Sequence, residues 1–425
     1  MKNFVKENMN KIIIVYLLLS PIIDIITSVL LNYFHISFTL GMVIRLFFVI
    51  FIMWSTIYVY NKKNVVGYYI LVLIYFWLYL ISIFKYKSGI VLFSEIQGLI
   101  KTFYFPILLL SLYNIRDDIT ISWKTIFYSS AIYIVLVFFP MLFNIGYESY
   151  KITKEGTVGF FNSANEISGI ISITTPFLFF LLKNKINLMK IIYIIIYIII
   201  YMIVILNIGT KTPILAFILS VCLVLVWIVR KLWEKKKKKL IFAIVGVFLV
   251  LISSVIIILP KTTFYKNIKV HLEYLGINNV EDILKNPYNI DHFIFSQRLT
   301  FLNTRHKQYI ESSIYEKSVG IGYNINNKKA RIVEIDYYDV FYSHGIIGTI
   351  LFFSPYLYVL FNILKKEKKN YFAYIKKISI FLICVLSFFT GHIIISPSVS
   401  TFAALIILVS CSEIKYSDKI KKMII

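Results

Sequence analysis

The sequence predicts an all-α polytopic membrane protein with about twelve transmembrane helices, both termini in the cytoplasm, and one large, partly helical extracytoplasmic loop. Hydrophobic residues make up 59% of the 425 residues, which excludes a disordered chain and leaves little length for a separate soluble domain. The net charge of +24 resides in short Lys and Arg clusters between apolar runs. Nucleic-acid binding needs basic groups gathered on one solvated domain, so this distribution indicates membrane topology instead.

The apolar segments account for most of the chain, because a transmembrane helix takes about 20 residues. Counted from a cytoplasmic N-terminus, alternate connections carry the Lys and Arg clusters, and the short opposite connections are poor in both. This pattern follows the positive-inside rule and predicts the orientation. In chain order, the predicted helices cover residues 12–31, 39–60, 65–84, 90–113, 121–145, 161–182, 190–208, 212–230, 240–259, 338–361, 374–390 and 396–412.

One connection is much longer than the others. Residues 260–337 are too many for a simple connector and contain apolar and aromatic residues throughout, as in "FIFSQRLTFLNTRHKQYI", so disorder is not expected. We expect a partly helical cap over the outer face. The chain then divides into helices 1–9 in 1–259, the cap in 260–337, helices 10–12 in 338–412 and a basic cytoplasmic tail in 413–425.

Ionisable residues occur within the predicted helices at Asp24, Arg45, Glu95 and Lys101. Each is disfavoured near the membrane centre by about 2.5–3.5 kcal/mol, so it should face protein or water rather than lipid. Two interpretations remain open. These groups either line a polar cavity that opens outward and binds a ligand, or form buried ion pairs that fix helix packing.

The stretch "GTVGFFNSANEISGI" (156–170) places a capping box, Ser163 with Glu166, at the start of the sixth helix. Beyond what the cap requires, it also carries Asn162, Asn165 and Glu166, with glycines at 159 and 169 that allow close helix approach. The stretch is therefore either a helix start only or a polar face toward substrate.

Basic residues accompany two further helix starts. In "NIGTKTPIL" (207–215), Lys211 stands beside a helix N-terminus with Pro213 in the first turn, an arrangement that binds anions; the alternative is a lysine that snorkels to the membrane surface. In the large loop, "SQRLTFLNTRHKQYIESS" predicts an amphipathic helix that carries Arg298 and Arg305. Arginine forks suit phosphate oxygens, although a solvated basic face is the commoner outcome.

The stretch "VEIDYYDVFYSHGIIGTILFF" (333–353) places three carboxylates and a histidine just before an apolar run. One carboxylate is explained by the helix macrodipole, but Glu334, Asp336 and Asp339 exceed what capping requires. His344 is either a proton-transfer partner or a satisfied core histidine, and we favour the core interpretation. The glycines at 345 and 348 should permit close packing behind this helix.

Several of these stretches together resemble the bacterial O-antigen polymerase and O-antigen ligase superfamily. The resemblance rests on "GFFNSANEISGI", "GTKTPILAF", "QRLTFLN" followed by "SVGIGYN", and "EIDYYDVFYSHGIIG", and spans about residues 156–350. It implies a membrane glycosyltransferase that joins glycans carried on undecaprenyl diphosphate outside the cytoplasmic membrane. Family ligases often carry a histidine near the end of the large loop, whereas this chain has Glu334 and Asp336 there, which favours a polymerase.

The resemblance implies that Lys211 and Arg298 bind the lipid diphosphate, and Arg305 or Arg331 could assist them. We expect Asp336, or as second choice Glu334, to be the general base. The predicted polar cavity is lined by Asn162, Asn165, Glu166, Arg45 and Lys101.

No DxD motif or histidine cluster occurs, so neither a metal nor a cofactor is expected. The expected partners are an undecaprenyl-diphosphate-linked oligosaccharide and membrane lipid, and could extend to a flippase and a chain-length regulator of the same pathway. Two alternatives stay open. One is a ligase that attaches completed glycans to an acceptor, and the other is a lipid-linked oligosaccharide flippase or transporter, against which the absence of an internal sequence repeat counts.

Overall fold

The structure is a computed structural model. It describes residues 1–34, 40–86, 91–149, 156–181, 188–242, 246, 259–277, 280–325, 328–329, 331–366 and 370–409.

Helices dominate the described residues, and the strands are two residues long. In chain order the helices are α1 (Lys2–Tyr33), α2 (Leu40–Trp54), α3 (Val66–Tyr86), α4 (Leu92–Asn114), α5 (Trp123–Leu142), α6 (Ala164–Thr174), α7 (Leu188–Ile208), α8 (Lys211–Glu234), α9 (Thr263–Tyr274), α10 (Val280–Lys285), α11 (Pro287–Phe293), α12 (Arg298–Glu311), α13 (Ile314–Val319), α14 (Asp336–Lys366), α15 (Tyr371–Phe389) and α16 (Pro397–Val409). The strands β1 (Asn324–Ile325) and β2 (Lys328–Lys329) pair antiparallel.

The predicted fold class, an all-α polytopic membrane protein, is confirmed. Within the described part of the chain, nine helices are long and apolar enough to cross a membrane. They are α1, α2 with its π-helical extension Ser55–Val59, α3, α4, α5, α7, α8, α14 and α15. Of the predicted segments, the ninth (240–259) falls mostly on 243–245 and 247–258, outside the described residues, as does the predicted basic tail.

The predicted sixth segment forms a shorter α-helix than expected. Helix α6 ends at Thr174 and continues as a 3₁₀ helix over Thr175–Phe180. Proline at 176 lacks the N–H that an α-helix needs, and the Thr174 and Thr175 hydroxyls donate to carbonyls one turn back, which bends helices. The last segment is helical over Pro397–Val409 in the described residues.

The predicted large loop is partly helical, as expected, since it contains α9 to α13 and both strands. The predicted amphipathic helix is confirmed as α12. Its apolar side packs Leu302 and Tyr309 into a small core with Ile321, Val333, Ile335 and Tyr342.

Glu95 attaches the large loop to the transmembrane helices. Its carboxylate, which is fully buried in α4, accepts the backbone N–H groups of Tyr323 and Asn324 at 2.9–3.1 Å and the Tyr79 hydroxyl at 2.6 Å. A buried carboxylate is stable only when its oxygens are satisfied in this way. Glu95 therefore fixes the loop in place rather than lining an open cavity.

Helix α14 is kinked at Gly345, where the backbone is non-helical (φ 63°, ψ −167°). The carbonyls of Tyr342 and Ser343, just before the kink, accept the N–H groups of Ile321 and Gly322 at 3.0 and 3.1 Å. The predicted glycine turn "SVGIGYN" thus supplies the backbone N–H groups that these two carbonyls of α14 need where the helix is interrupted. The kink orients the first turns of α14 toward the loop.

We expect Gly345→Ala to destabilise the protein by about 1–3 kcal/mol, because a side chain at this positive φ is strained. The added Cβ would also lie 2.6 Å from the Gly320 nitrogen and the Ser318 carbonyl oxygen. Gly67→Ala is the control, since nothing lies within 4 Å of its Cβ position and alanine favours a helix. Thermal unfolding in detergent measures both variants, and equal midpoints would contradict a structural kink.

Candidate functional site

The connection between α15 and α16, residues 390–396, is held by a carboxylate from α14. Asp336 is fully buried, and its Oδ1 accepts the His392 N–H at 2.6 Å while Oδ2 accepts those of Ile393 and Ile394 at 2.9 and 2.8 Å. Gly391 and His392 take left-handed backbone angles (φ 65° and 60°), which present three successive amides to one carboxylate. We call this arrangement the Asp336 latch.

Arg298 holds the other end of the same connection. Its guanidinium donates to the carbonyls of Phe389 and Thr390 at 2.9 and 3.0 Å and lies 3.6 Å from a Glu334 carboxylate oxygen. Burial lowers the pKa of Arg298, and Glu334 partly offsets the effect. An arginine keeps its charge in a protein, so a partly desolvated cation stands at this position.

Asp291 positions Arg298 by capping the start of α12. Its carboxylate accepts the N–H groups of Leu299 and Thr300 at 2.8 and 2.9 Å and the Thr300 hydroxyl at 2.6 Å. This cap lies seven residues before the helix start, well outside the usual N-cap spacing. No capping pattern in the sequence therefore indicates this role of Asp291.

Glu334 is the carboxylate that stays partly open. Its side chain is 22% exposed, and its two oxygens face Arg298 and Arg331, the latter at 3.2 Å. Arg331 is 65% exposed and lies over the Phe301 ring at 4.6 Å. An acid and two arginines thus meet where the large loop joins α14.

Glu166 contacts the far end of the connection. Its carboxylate accepts the hydroxyls of Ser396 and Ser398 at 2.7 and 3.2 Å. Ser163 caps α6 as predicted, through the Glu166 N–H at 3.3 Å. The reciprocal half of the predicted capping box is replaced by the contacts with the two serines.

Lys211 lies at the first position of α8 and reaches the large loop. Its ammonium donates to the Phe293 carbonyl and lies 4.3 Å from the centre of the Phe293 ring. The preceding residue, Thr210, shares a hydrogen bond of 2.6 Å with Ser168 of α6. The structure therefore brings Lys211 to the short corner between α11 and α12 from which Arg298 extends.

The other predicted site residues lie elsewhere. Arg305 is 2% exposed and donates to the Gly322 carbonyl at 2.7 Å, and Arg45 pairs with Asp24, which also accepts from Tyr133. Arg45 thus matches the ion-pair alternative, and burial of Arg305 disagrees with its predicted role at a diphosphate. Asn162 and Asn165, at the start of α6, are exposed, and Lys101 is half-buried in α4.

The latch disagrees with the prediction that Asp336 is the base. Both of its oxygens accept backbone amides and the side chain is inaccessible, so this arrangement gives Asp336 a structural role and leaves no open oxygen for a substrate hydroxyl. Asp339 accepts the Val333 N–H at 2.7 Å and also serves the fold. His344 is a satisfied core histidine, as favoured, with its ring nitrogens bonded to the hydroxyls of Tyr75 and Tyr323.

The structure places several cations and one partly accessible acid around the α11–α12 corner and the start of α14. Lys211 and Arg298 can bind a polyanion, Arg331 can reach it from solvent, and Glu334 can exchange a proton with a neighbouring hydroxyl. Among the described residues, no group of three His, Cys, Asp or Glu side chains is placed to hold a metal ion.

A family model described as "O-antigen ligase like membrane protein" matches residues 6–286 and 278–415, which together make up most of the chain. No match to a curated protein was found.

We expect Asp336→Asn to destabilise the protein by about 3 kcal/mol, because an amide nitrogen would then face a backbone N–H in a buried place. Glu334→Gln, two residues away and partly exposed, is the matched control and should change stability by less than about 1 kcal/mol. Thermal unfolding in detergent compares them. An Asp336→Asn protein as stable as the wild type would show that the latch is not structural.

Proposed function

The chain belongs to the family of O-antigen ligase-like membrane proteins, and on that premise we propose that it is a polymerase of surface glycan. It joins oligosaccharide repeat units carried on undecaprenyl diphosphate, at the outer face of the cell membrane. The observation that carries this proposal is the meeting of Lys211 and Arg298 at the α11–α12 corner, with Glu334 beside Arg298.

The donor diphosphate would bind between Lys211 and Arg298. Both cations now donate to peptide carbonyls, and a diphosphate oxygen is a stronger acceptor because hydrogen bonds between ionised groups are about twice as strong as neutral ones. Arg331, which is exposed, could add a third contact. Arg305 is left out because its guanidinium is buried against Gly322.

Glu334 would act as the general base. It takes the proton from the acceptor sugar hydroxyl as that oxygen attacks the anomeric carbon of the donor. The bond between that carbon and the diphosphate oxygen breaks, and the electron pair leaves with the lipid diphosphate. Lys211 and Arg298 stabilise the charge that develops on the leaving group, which is often the largest contribution to catalysis.

The acceptor glycan would lie toward α6. Asn162 and Asn165 are exposed there, and amide groups suit sugar hydroxyls. Glu166, with its two serines, borders this surface and holds the α15–α16 connection. The connection would thus separate the donor diphosphate from the acceptor chain.

A ligase is the second candidate. The observation that favours it is His392, half-buried beside Asp336, since a histidine is a suitable base for transfer to a different acceptor. The two reactions share the donor and the leaving group. They differ in whether a growing glycan or another acceptor supplies the attacking hydroxyl.

Deletion of the gene should leave single repeat units on the lipid carrier, and a plasmid copy with Lys211→Ala or Arg298→Ala should fail to restore polymer. Loss of either cation should reduce the rate on the order of a hundredfold or more. Lys231→Ala is the matched control, because Lys231 lies on the same helix as Lys211 but is exposed and paired with Glu234. Surface glycan and extracted lipid-linked glycan are analysed by gel electrophoresis and mass spectrometry.

Three outcomes contradict parts of this proposal. Long chains that remain on the lipid indicate a ligase. Repeat units trapped at the cytoplasmic face indicate a transporter. Normal polymer from either alanine variant, at normal protein level, would contradict the diphosphate site.

A further inference from the structure

A second pair of ionisable side chains lies beside the proposed diphosphate site. The Phe293 ring has the Lys211 ammonium 4.3 Å from its centre and the His271 ring 5.7 Å away. The ring of His292, the preceding residue, lies 4.1 Å from that of Tyr288, tilted by 35°, and shares a hydrogen bond of 3.2 Å with Gln297. Neither histidine has a part in the mechanism above.

Four separate helices contribute one basic side chain each to this place. Lys211 comes from α8, His271 from α9, His292 from α11 and Arg298 from α12. Helix α9 is held next to the α7–α8 turn by a hydrogen bond of 3.2 Å from Thr263 to Asn207. His271 and Lys211 therefore both lie beside the Phe293 ring, where the large loop contacts the start of α8.

The surroundings of His271 disfavour its charged form while the site is empty. Burial, then the charges of Lys211 and of His292, lower the pKa of His271 from its ordinary value. On α11, the Asp291 carboxylate is buried and bonded to the start of α12. The other charged groups nearby are exposed: Lys261 in the turn before α9, and Lys266, Lys269 and Glu273 on α9, of which the last two form a pair at 3.7 Å. Helix α7 presents the neutral Asn207.

We propose that His271 takes up a proton when a lipid diphosphate binds, and so becomes the third cation of that site. The inference rests on the proposed function, because it assumes that Lys211 and Arg298 hold the diphosphate. Two negative charges beside the imidazole reverse the balance that keeps it neutral in the empty site. Binding and protonation are then linked, so each strengthens the other.

The sign of the pH dependence follows from this linkage. Below the pKa of His271 in the empty site, the ring is already charged and affinity is at its highest. Between that pKa and the higher pKa of the occupied site, affinity falls by about tenfold per pH unit as the pH rises. Above both, the contribution of His271 to affinity is lost.

The test is calorimetric titration of the detergent-solubilised full-length chain with a short-chain prenyl diphospho-sugar, in two buffers of different ionisation enthalpy at several pH values. Each phosphate of this probe is esterified, so the probe itself does not titrate near neutral pH. We expect up to one proton taken up per probe bound, and binding roughly tenfold tighter at pH 6.5 than at pH 7.5.

At pH 6.5, where a lysine beside the diphosphate is already charged, His271→Asn and His271→Gln should bind more weakly than the wild type and take up no proton. His306→Gln is the matched control, since that histidine of the same loop bonds to the Tyr342 hydroxyl and should leave the coupling intact. Thermal unfolding confirms that each variant is folded.

At pH 6.5, proton uptake retained in both His271 variants would overturn the inference. Loss of uptake in His292→Gln alone would overturn it as well. In both cases the proposed function stands, provided that Lys211→Ala and Arg298→Ala abolish binding of the probe. A wild-type protein that does not bind the probe overturns the diphosphate site, and this inference with it.

Discussion

The hydrogen bonds between Asp336 and three successive backbone amides hold the candidate site together. Hydrogen bonds to a charged group contribute about 1.5–3 kcal/mol each, and in a buried place they also offset the cost of removing the carboxylate from water. Because the latch fixes residues 392–394, it also fixes the carbonyls that Arg298 contacts at one end and the serines that Glu166 contacts at the other. Three stretches that are distant in sequence therefore meet on one short connection.

The other buried charges serve a similar purpose. Asp24 is shared between Arg45 and the Tyr133 hydroxyl, which joins α1, α2 and α5. Glu95 joins α4 to the large loop. Charge within a membrane helix is costly unless it is paired, so each pairing specifies one arrangement of helices. Of the residues predicted for the diphosphate and the base, Lys211, Arg298, Arg331 and Glu334 are partly accessible.

Much of the fold could be predicted because it depends on local pattern. Apolar length identified the transmembrane helices, and helical periodicity identified α12. Motif order also indicated which stretches belong to the site. The roles within the site could not be read in the same way, because Asp336 and Glu334 are two residues apart and chemically alike, yet one is fully buried and the other is 22% exposed. The partners of Asp336 lie more than fifty residues away, in an apolar stretch without a recognisable motif.

The two acids differ in role: Asp336 holds the α15–α16 connection, and Glu334 is the general base that we propose. The most direct test is a reaction of the purified chain in proteoliposomes with a lipid-diphosphate-linked repeat unit. We expect one lipid diphosphate released per new glycosidic bond, and a rate on the order of 10²–10⁴-fold lower for Glu334→Gln with donor binding retained. Transfer of the labelled donor across the bilayer without bond formation, or a Glu334→Gln protein as fast as the wild type, would contradict this expectation.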